Sequence, residues 1–321
     1  MPYDGEYAKY QTINRISETE RVKQLLNRAK VSISDEEREL IKPSKAPSRE
    51  DNVAQLVLAI DGSNTEIDIK SDYPGAKIGY CTVACVLIDL RLVEKLESNR
   101  PFDPVKFRKT EKTATIDAAL PSSNVVTRRQ ISAKSSFRDE LFDLFANYTF
   151  DEEDKTTLLE TYEELLKVKP TTNPAKCPYS DCDEILDIKS GHGNCGKCKR
   201  PIYSTDELRI HERFNEMGSN AEAISYVMQV WERIFLIHIL RGFERKGLLK
   251  NLDKIAFFLD GPLAIFGPPA WLSSSIKKEL KRVNSLVLAE TDKDIILVGI
   301  EKSGGFVSHF EGPCQEFCVN S

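Results

Sequence analysis

Two aspartates in this chain each follow an apolar run and precede a glycine. Asp61 comes after Leu56 to Ile60 in "LVLAIDGSN", and Asp260 after Ile255 to Leu259 in "KIAFFLDGPLAIFG". Carboxylates brought side by side at the ends of two neighbouring strands repel, and each raises the other's pKa unless a divalent cation lies between them. Oxygen ligands suit manganese or magnesium. A paired-metal site supplies what phosphodiester cleavage requires, an activated water and a stabilised leaving oxygen. The glycines at 62 and 261 would let a substrate backbone come close. The simpler reading is that both acids only make turns, because Asp-Gly is a common turn pair.

A third carboxylate is expected from a helix packed on the sheet. In the helix predicted over 221–249, Ile224, Met228, Trp231, Phe235 and Ile239 form an apolar stripe, and Glu232 lies at its edge. There it points toward a sheet, although boundary glutamates also snorkel to water. Glu212 is the second choice: with Glu216, four residues on, it shares one face of a helix predicted over 206–217, where a solvated face is the plainer reading. Asp206 would be the N-terminal acid of that helix, favouring its dipole. Lys302 follows the apolar run "IILVGIE" and could reach a phosphate as a point charge. The basic stretches "KKELKR" (277–282) and "FERKGLLK" (243–250) read first as solvated helix faces. Hydrolase chemistry of other kinds finds no support: there is no G-x-S-x-G, no P-loop, and His192, His211, His238 and His309 fall in no triad pattern.

A separate chemistry belongs to "CPYSDCDEILDIKSGHGNCGKC", where Cys177, Cys182, Cys195 and Cys198 are spaced C-x4-C-x12-C-x2-C. Two knuckles of this kind place four thiolates on zinc, and four thiolates close the coordination sphere, so the zinc is structural. Gly196 suits the tight turn of the second knuckle, and His192 reads as an exposed loop residue. Lys197, Lys199 and Arg200 offer a nucleic-acid or partner contact, with stabilisation of the local fold as the default. Cys81 and Cys85, four apart in a strand, share one face as small core residues. Cys314 and Cys318 belong to neither site.

The elements that must position these residues follow from pattern. A helix is predicted over 6–30, a Pro/Ser linker over 42–51, and strands over 53–61 and 78–90. Residues 98–134 are poorly periodic and leave room for a further strand. Helices over 136–149 and 152–168 precede the cysteine insert, 175–203. After the helices at 206–217 and 221–249, the second capped by Ser219 or Asn220, come a strand at 254–260, a helix from Pro268 or Pro269 to about Val283, and a strand at 294–301. This order gives an α/β fold, a ribonuclease H-like mixed sheet flanked by helices with an inserted zinc ribbon. Its first and fourth sheet strands are neighbours, which would unite Asp61 with Asp260. The domain reading is 1–50 as helical segment and linker, and 51–321 as the catalytic domain.

The chain has 321 residues, 40% of them hydrophobic and 30% charged, with net charge −5. That charge argues against coating nucleic acid by electrostatics, but not against a nuclease whose carboxylates are balanced by metal. No stretch approaches 18 uncharged apolar residues, and the first residues lack the apolar core of a signal peptide, so no membrane association and a cytoplasmic address are expected.

The strand endings "AIDGS" and "LDGPL", the ending "GIEKSG", the segment "STDELRIHERFNEMGSN", the Glu232 helix and "DGPLAIFGPPAWL" together resemble the NurA nuclease family, in a zinc-ribbon-containing bacterial branch, over roughly 53–310. The resemblance implies a ribonuclease H-like core and a divalent-metal DNA nuclease, acting as 5'-3' exonuclease and/or endonuclease. Family members work with a HerA-type hexameric ATPase in DNA end processing or anti-phage defence, as homodimers. It makes Asp61, Asp260 and a helical glutamate, Glu232 before Glu212, the manganese or magnesium ligands. Lys302 would support phosphate binding and His309 would act near the leaving group. Family members continue with further strands and a segment carrying a tyrosine and a histidine, whereas this chain stops at "EGPCQEFCVNS". The rival readings are a non-catalytic zinc-ribbon adaptor regulating an ATPase, and an RNase.

Overall fold

The computed structural model describes residues 54–69, 75–95, 111–149, 154–170 and 174–302, together with Glu20, Lys23, Gln24 and Arg28. The chain divides into two units, residues 1–51 and 52–321. In the first, the four described residues are helical, and Arg28 Nε donates to the Gln24 carbonyl at 3.1 Å. The remainder of the helix expected over 6–30 and the linker at 42–51 lie outside the described residues, as do His309, Cys314 and Cys318.

Five strands make one mixed sheet. They are β1 (Leu56–Asp68), β2 (Lys77–Asp89), β3 (Glu111–Pro121), β6 (Ile255–Asp260) and β7 (Ile296–Ile300); β4 (His192–Asn194) and β5 (Pro201–Tyr203) pair separately. The sheet order is β3-β2-β1-β6-β7, with β1 antiparallel to β2, β2 to β3, and β6 parallel to both its neighbours. The expected adjacency of the first and fourth sheet strands is therefore present. β6 reads as a continuous apolar run because its central, parallel position buries both faces, and Phe257 is fully enclosed.

Besides a single turn at Leu90–Val93, four longer helices accompany this sheet among the described residues: α1 (Ala133–Asn147), α2 (Leu158–Lys167), α3 (Ala221–Arg245) and α4 (Trp271–Thr291). Capping boxes start the first two, Ser132 with Ser135 and Thr157 with Glu160. Helix α3 is long and apolar enough to cross a membrane, yet 78% of that window is buried inside the protein. It packs across β1 and β2, where two glycines admit it. A side chain at Gly79 would overlap Ile224, and one at Gly62 would overlap Met228 and Glu232.

Three expectations are corrected. Strand β1 does not end at Asp61; its pairing with β2 continues through Asp68 opposite Lys77, while its pairing with β6 stops at Ile60 opposite Leu259. The hairpin outruns the parallel neighbour, so the acid marks where the sheet splits and not where the strand stops. Residues 206–217 form no α-helix but two 3-10 turns, Ser204–Leu208 and Ile210–Arg213, broken by Arg209 at a left-handed φ of 60°. Helix α4 continues to Thr291, two turns past Val283, and α3 ends at Arg245, where Lys246 caps it and Gly247 takes a positive φ. The unassigned stretch 98–134 contains β3 and the start of α1.

Candidate functional site

Asp61 and Asp260 occupy the positions immediately beyond the last parallel rung of β1 and β6, and their carboxyl groups share a hydrogen bond. Burial, this contact and the neighbouring negative charge hold Asp61 above the usual carboxylate range. Burial pushes Asp260 the same way, but hydrogen bonds from Lys302 and Asp61 and the lysine's charge overcome it and leave Asp260 below that range. Lys302 Nζ lies 3.0 Å from Asp260 Oδ1. The Lys302 ammonium thus compensates part of the pair's negative charge, and a hard divalent cation would suit the same oxygens.

Helix α3 brings Glu232 onto this end of the sheet. The carboxyl group is 2% exposed, accepts the Gly62 N–H, and would lie 2.5 Å from a Cβ at position 62. Gly62 therefore makes room for the protein's own carboxylate and not for substrate backbone. Desolvation pushes Glu232 up to about 7, with Arg233 and the Gly62 N–H opposing and Asp61 and Asp260 adding to the rise. Gly62, Glu232, Arg233, Asp260, Phe266 and Glu301 border an open cleft of about 350 Å3. Gly261, at φ 76°, turns the chain out of β6, and its N–H donates to the Ile300 carbonyl at 2.8 Å.

Arg233 is the residue that pattern reading passed over. It is 4% exposed, its Nη1 donates to Glu232 Oε2, and its Nη2 donates to the carbonyls of Pro262 at 2.8 Å and Asp260 at 3.3 Å. A charged residue beside the apolar stripe was the available signal, but its carbonyl partners at Asp260 and Pro262 lie 27 and 29 positions away in sequence.

The other expected site residues fall elsewhere. Glu212 is held by Arg209 at 2.7 and 2.9 Å and lines a different cleft with Pro268 and Trp271. Glu216 accepts the Lys134 backbone N–H at 3.3 Å. Asp206 is the acid in the first turn of the 3-10 segment Ser204–Leu208, accepting the Tyr203 backbone N–H at 2.8 Å, but it is also 2% exposed and takes both arms of Arg138 at 2.7 Å. The two basic stretches are ion-paired in part, with Arg245 on Asp154 and Arg282 joining Glu244 and Glu279.

The four cysteines converge. Cys177 and Cys198 sulfurs are 3.7 Å apart, as are those of Cys182 and Cys195, and all four lie within 4.8 Å of one another. Tetrahedral zinc with bonds of about 2.3 Å needs sulfurs separated by about 3.8 Å, so the group fits zinc. Among the described residues it is the only such set. The positive φ of the second knuckle falls at Lys199, at 61°, and not at Gly196, which has space around it. His192 stands outside the cysteines, edge-on to Phe142 at 5.7 Å. Lys197 and Arg200 pair with Asp183 and Asp181, and Lys199 Nζ donates to the Gly196 carbonyl at 2.7 Å, so all three are engaged within the ribbon.

Arg138 joins the ribbon to the core. Its guanidinium lies 5.0 Å from the ring centre of Tyr179 and donates to the Pro201 carbonyl at 3.0 Å while binding Asp206. Among known proteins, the family model for the NurA domain matches residues 55–312. No curated protein and no solved structure matches.

Proposed function

The chain belongs to the NurA family, a nuclease family, and from that premise we propose that it is a divalent-metal-dependent DNA nuclease. The observation that carries the reading is the meeting of Asp61 and Asp260 beyond the parallel rungs of β1 and β6, with Glu232 buried beside them. These three carboxylates would hold manganese or magnesium, which when bound supplies Lewis-acid polarisation of a phosphodiester. Asp61, exposed at the split of the sheet, and Asp260, beside the cleft, present the oxygens. Glu232, anchored by Gly62, limits where a cation can sit. Lys302, whose side chain is 65% exposed, pairs with Asp260 and, with a cation held there, would be free to meet the substrate phosphate. His309 is proposed to act near the leaving oxygen.

The nuclease domain is taken as 51–321 with the zinc ribbon at 175–203, preceded by a helical segment and linker over 1–50. A HerA-type hexameric ATPase delivers DNA to a homodimer in the cytoplasm, which accounts for a nuclease of net charge −5. The work is end processing or anti-phage defence, by 5'-3' exonuclease and/or endonuclease action.

The test is cleavage of end-labelled linear DNA with Mn2+ by the native chain and by Asp260→Ala, each alone and with the ATPase, with matched RNA alongside. Cleavage of DNA lost only in the variant supports the proposal; cleavage of RNA alone makes the protein an RNase. One observation favours the rival adaptor reading: Lys302 and Arg233 already neutralise two of the three carboxylates. Intact, zinc-bound protein that cleaves nothing in any mixture would overturn the nuclease reading in favour of the adaptor or an inactive nuclease.

A further inference from the structure

Arg233 touches everything that sets the relation between Glu232 and Asp260. Its Nη1 holds Glu232 Oε2, and the same nitrogen lies 3.4 Å from the Gln229 carbonyl of its own helix. Its Nη2 holds the backbone carbonyls on both sides of Gly261, those of Asp260 and Pro262. One planar fork therefore spans from α3 to the turn after β6. Lysine, a single point on a flexible stem, cannot serve both ends at once.

The orientation of that fork is costly in itself. Arg233 Nε is buried without a hydrogen-bond partner, although leaving a buried donor unpaired is unfavourable. A guanidinium serving only to neutralise Glu232 could turn its Nε–Nη edge to the carboxylate, as Arg138 does toward Asp206. Arg233 instead aims both Nη groups outward, one at the acid and one at the carbonyls. Glycine at 261 is called for by its φ of 76° and not by space, since a Cβ there would meet Nη2 only at ordinary contact, 3.6 Å.

We propose that Arg233 is a positioning residue that fixes the spacing of Glu232 and Asp260 and thereby sets the affinity of the site for a divalent cation. The inference rests on the reading of these carboxylates as metal ligands. Arg233 does not contact the substrate or the cation; it acts through the two acids. Residues in this role typically contribute 10–100-fold to metal affinity or activity.

The experiment is calorimetric titration of the full chain with Mn2+ in the absence of nucleic acid, comparing native protein, Arg233→Gln, Arg233→Lys and Asp260→Asn. Circular dichroism, thermal unfolding and zinc content establish folding. Mn2+ binding to native protein that weakens about 10-fold or more in folded Arg233→Gln, and by less in Arg233→Lys, is the expected result. Native-like Mn2+ affinity in folded Arg233→Gln overturns the proposal while leaving the metal reading intact, provided Asp260→Asn abolishes binding. If Arg233→Gln does not fold, Arg233→Lys decides alone, weaker binding supporting the proposal and unchanged binding overturning it. If neither folds, Arg233 serves the fold and not the site, and the proposal falls. Absence of Mn2+ binding by the native chain removes the metal reading and this inference with it.

Discussion

Asp61 and Asp260 are brought together by strand register, one position past the rung that pairs Ile60 with Leu259. β1 then continues with β2 alone, so Asp61 projects from a strand held on one side only. The two carboxyl groups are shifted in opposite senses: burial and the neighbouring acid hold Asp61 above its usual range, while Lys302 and Asp61 hold Asp260 below it.

Replacing Asp61 separates cleavage from stability. Asp61→Asn is expected to abolish Mn2+-dependent cleavage while raising the thermal midpoint of the metal-free chain, because a carboxyl group held above its usual range resists ionisation in the folded state. Parallel melting curves at neutral pH check this; a lower midpoint for the variant would refute the electrostatic account.

Glu232→Gln extends the argument to a buried group. The Glu232 carboxyl titrates near 7 when folded against a reference of 4.5, so the folded state binds the extra proton. The stabilisation that goes with that proton is complete below about 4.5 and lost as the pH rises to 7. At pH 8 the neutral amide should therefore stabilise the metal-free chain by roughly 3–3.5 kcal/mol, at about 1.4 kcal/mol per unit over the rise from 4.5 to about 7. Denaturant titrations of both proteins at pH 5 and pH 8 provide the comparison, and equal differences at the two values would count against it.

Metal analysis should find one zinc per chain, retained by Asp260→Ala and lost by Cys182→Ser. Removing it leaves four converging sulfurs to repel or oxidise, so the ribbon's small core of Ala175, Leu186, Ile188 and Ile202 should open. Limited proteolysis within 175–203 reports the opening; unchanged resistance in zinc-free protein would oppose a structural role.

Arg138 and Asp206 are 3% and 2% exposed, so breaking their pair strands a charge in the interior. Arg138→Ala should cost about 3–5 kcal/mol, whereas the double change Arg138→Met with Asp206→Leu should cost much less. Equilibrium unfolding of the native protein, Arg138→Met, Asp206→Leu and the double variant completes the cycle, with Arg138→Ala alongside. Additive losses in the double variant would show that the pair acts through something other than mutual compensation.

His211 supplies the opposite pH dependence. Burial pushes it down to about 4, with Arg138 and Lys134 adding to the effect and Asp206 and Glu212 opposing it. The unfolded chain binds a proton near 6.5 that the folded chain refuses, so stability is full above 6.5 and declines as the pH falls toward 4. His211→Gln should flatten the slope in that window by about 1.4 kcal/mol per pH unit at most. An unchanged slope, read from denaturant midpoints at closely spaced pH values, would exclude His211 as a source.

Local pattern carried the features whose partners are near in sequence. The cysteine spacing alone specified a convergent sulfur set, because each knuckle closes over a few residues. The apolar runs of β1 and β6, broken by Asp61 and Asp260, announced buried strands meeting acids, and the edge of the α3 stripe singled out Glu232. Their order along the chain was enough to make the first and fourth sheet strands neighbours.

Everything that depends on which distant surfaces meet required the folded chain. β1 outran its expected end because hairpin pairing with β2 continued after β6 stopped, a fact of register and not of composition. Residues 206–217 read as a helix, yet Ser204–Leu208 and Ile210–Arg213 are 3-10 turns carrying the buried pairs from Asp206 to Arg138 and from Glu207 to Lys169. Gly62 looked like an opening for substrate and proved to be the seat of Glu232. Arg233 was invisible because hydrogen bonds to the backbone of a remote turn leave no periodic trace. The sequence by itself determined which residue types could do the chemistry and on which elements they ride. Only tertiary structure decided which of them meet, because burial, desolvation and charge compensation arise from contacts made across the chain.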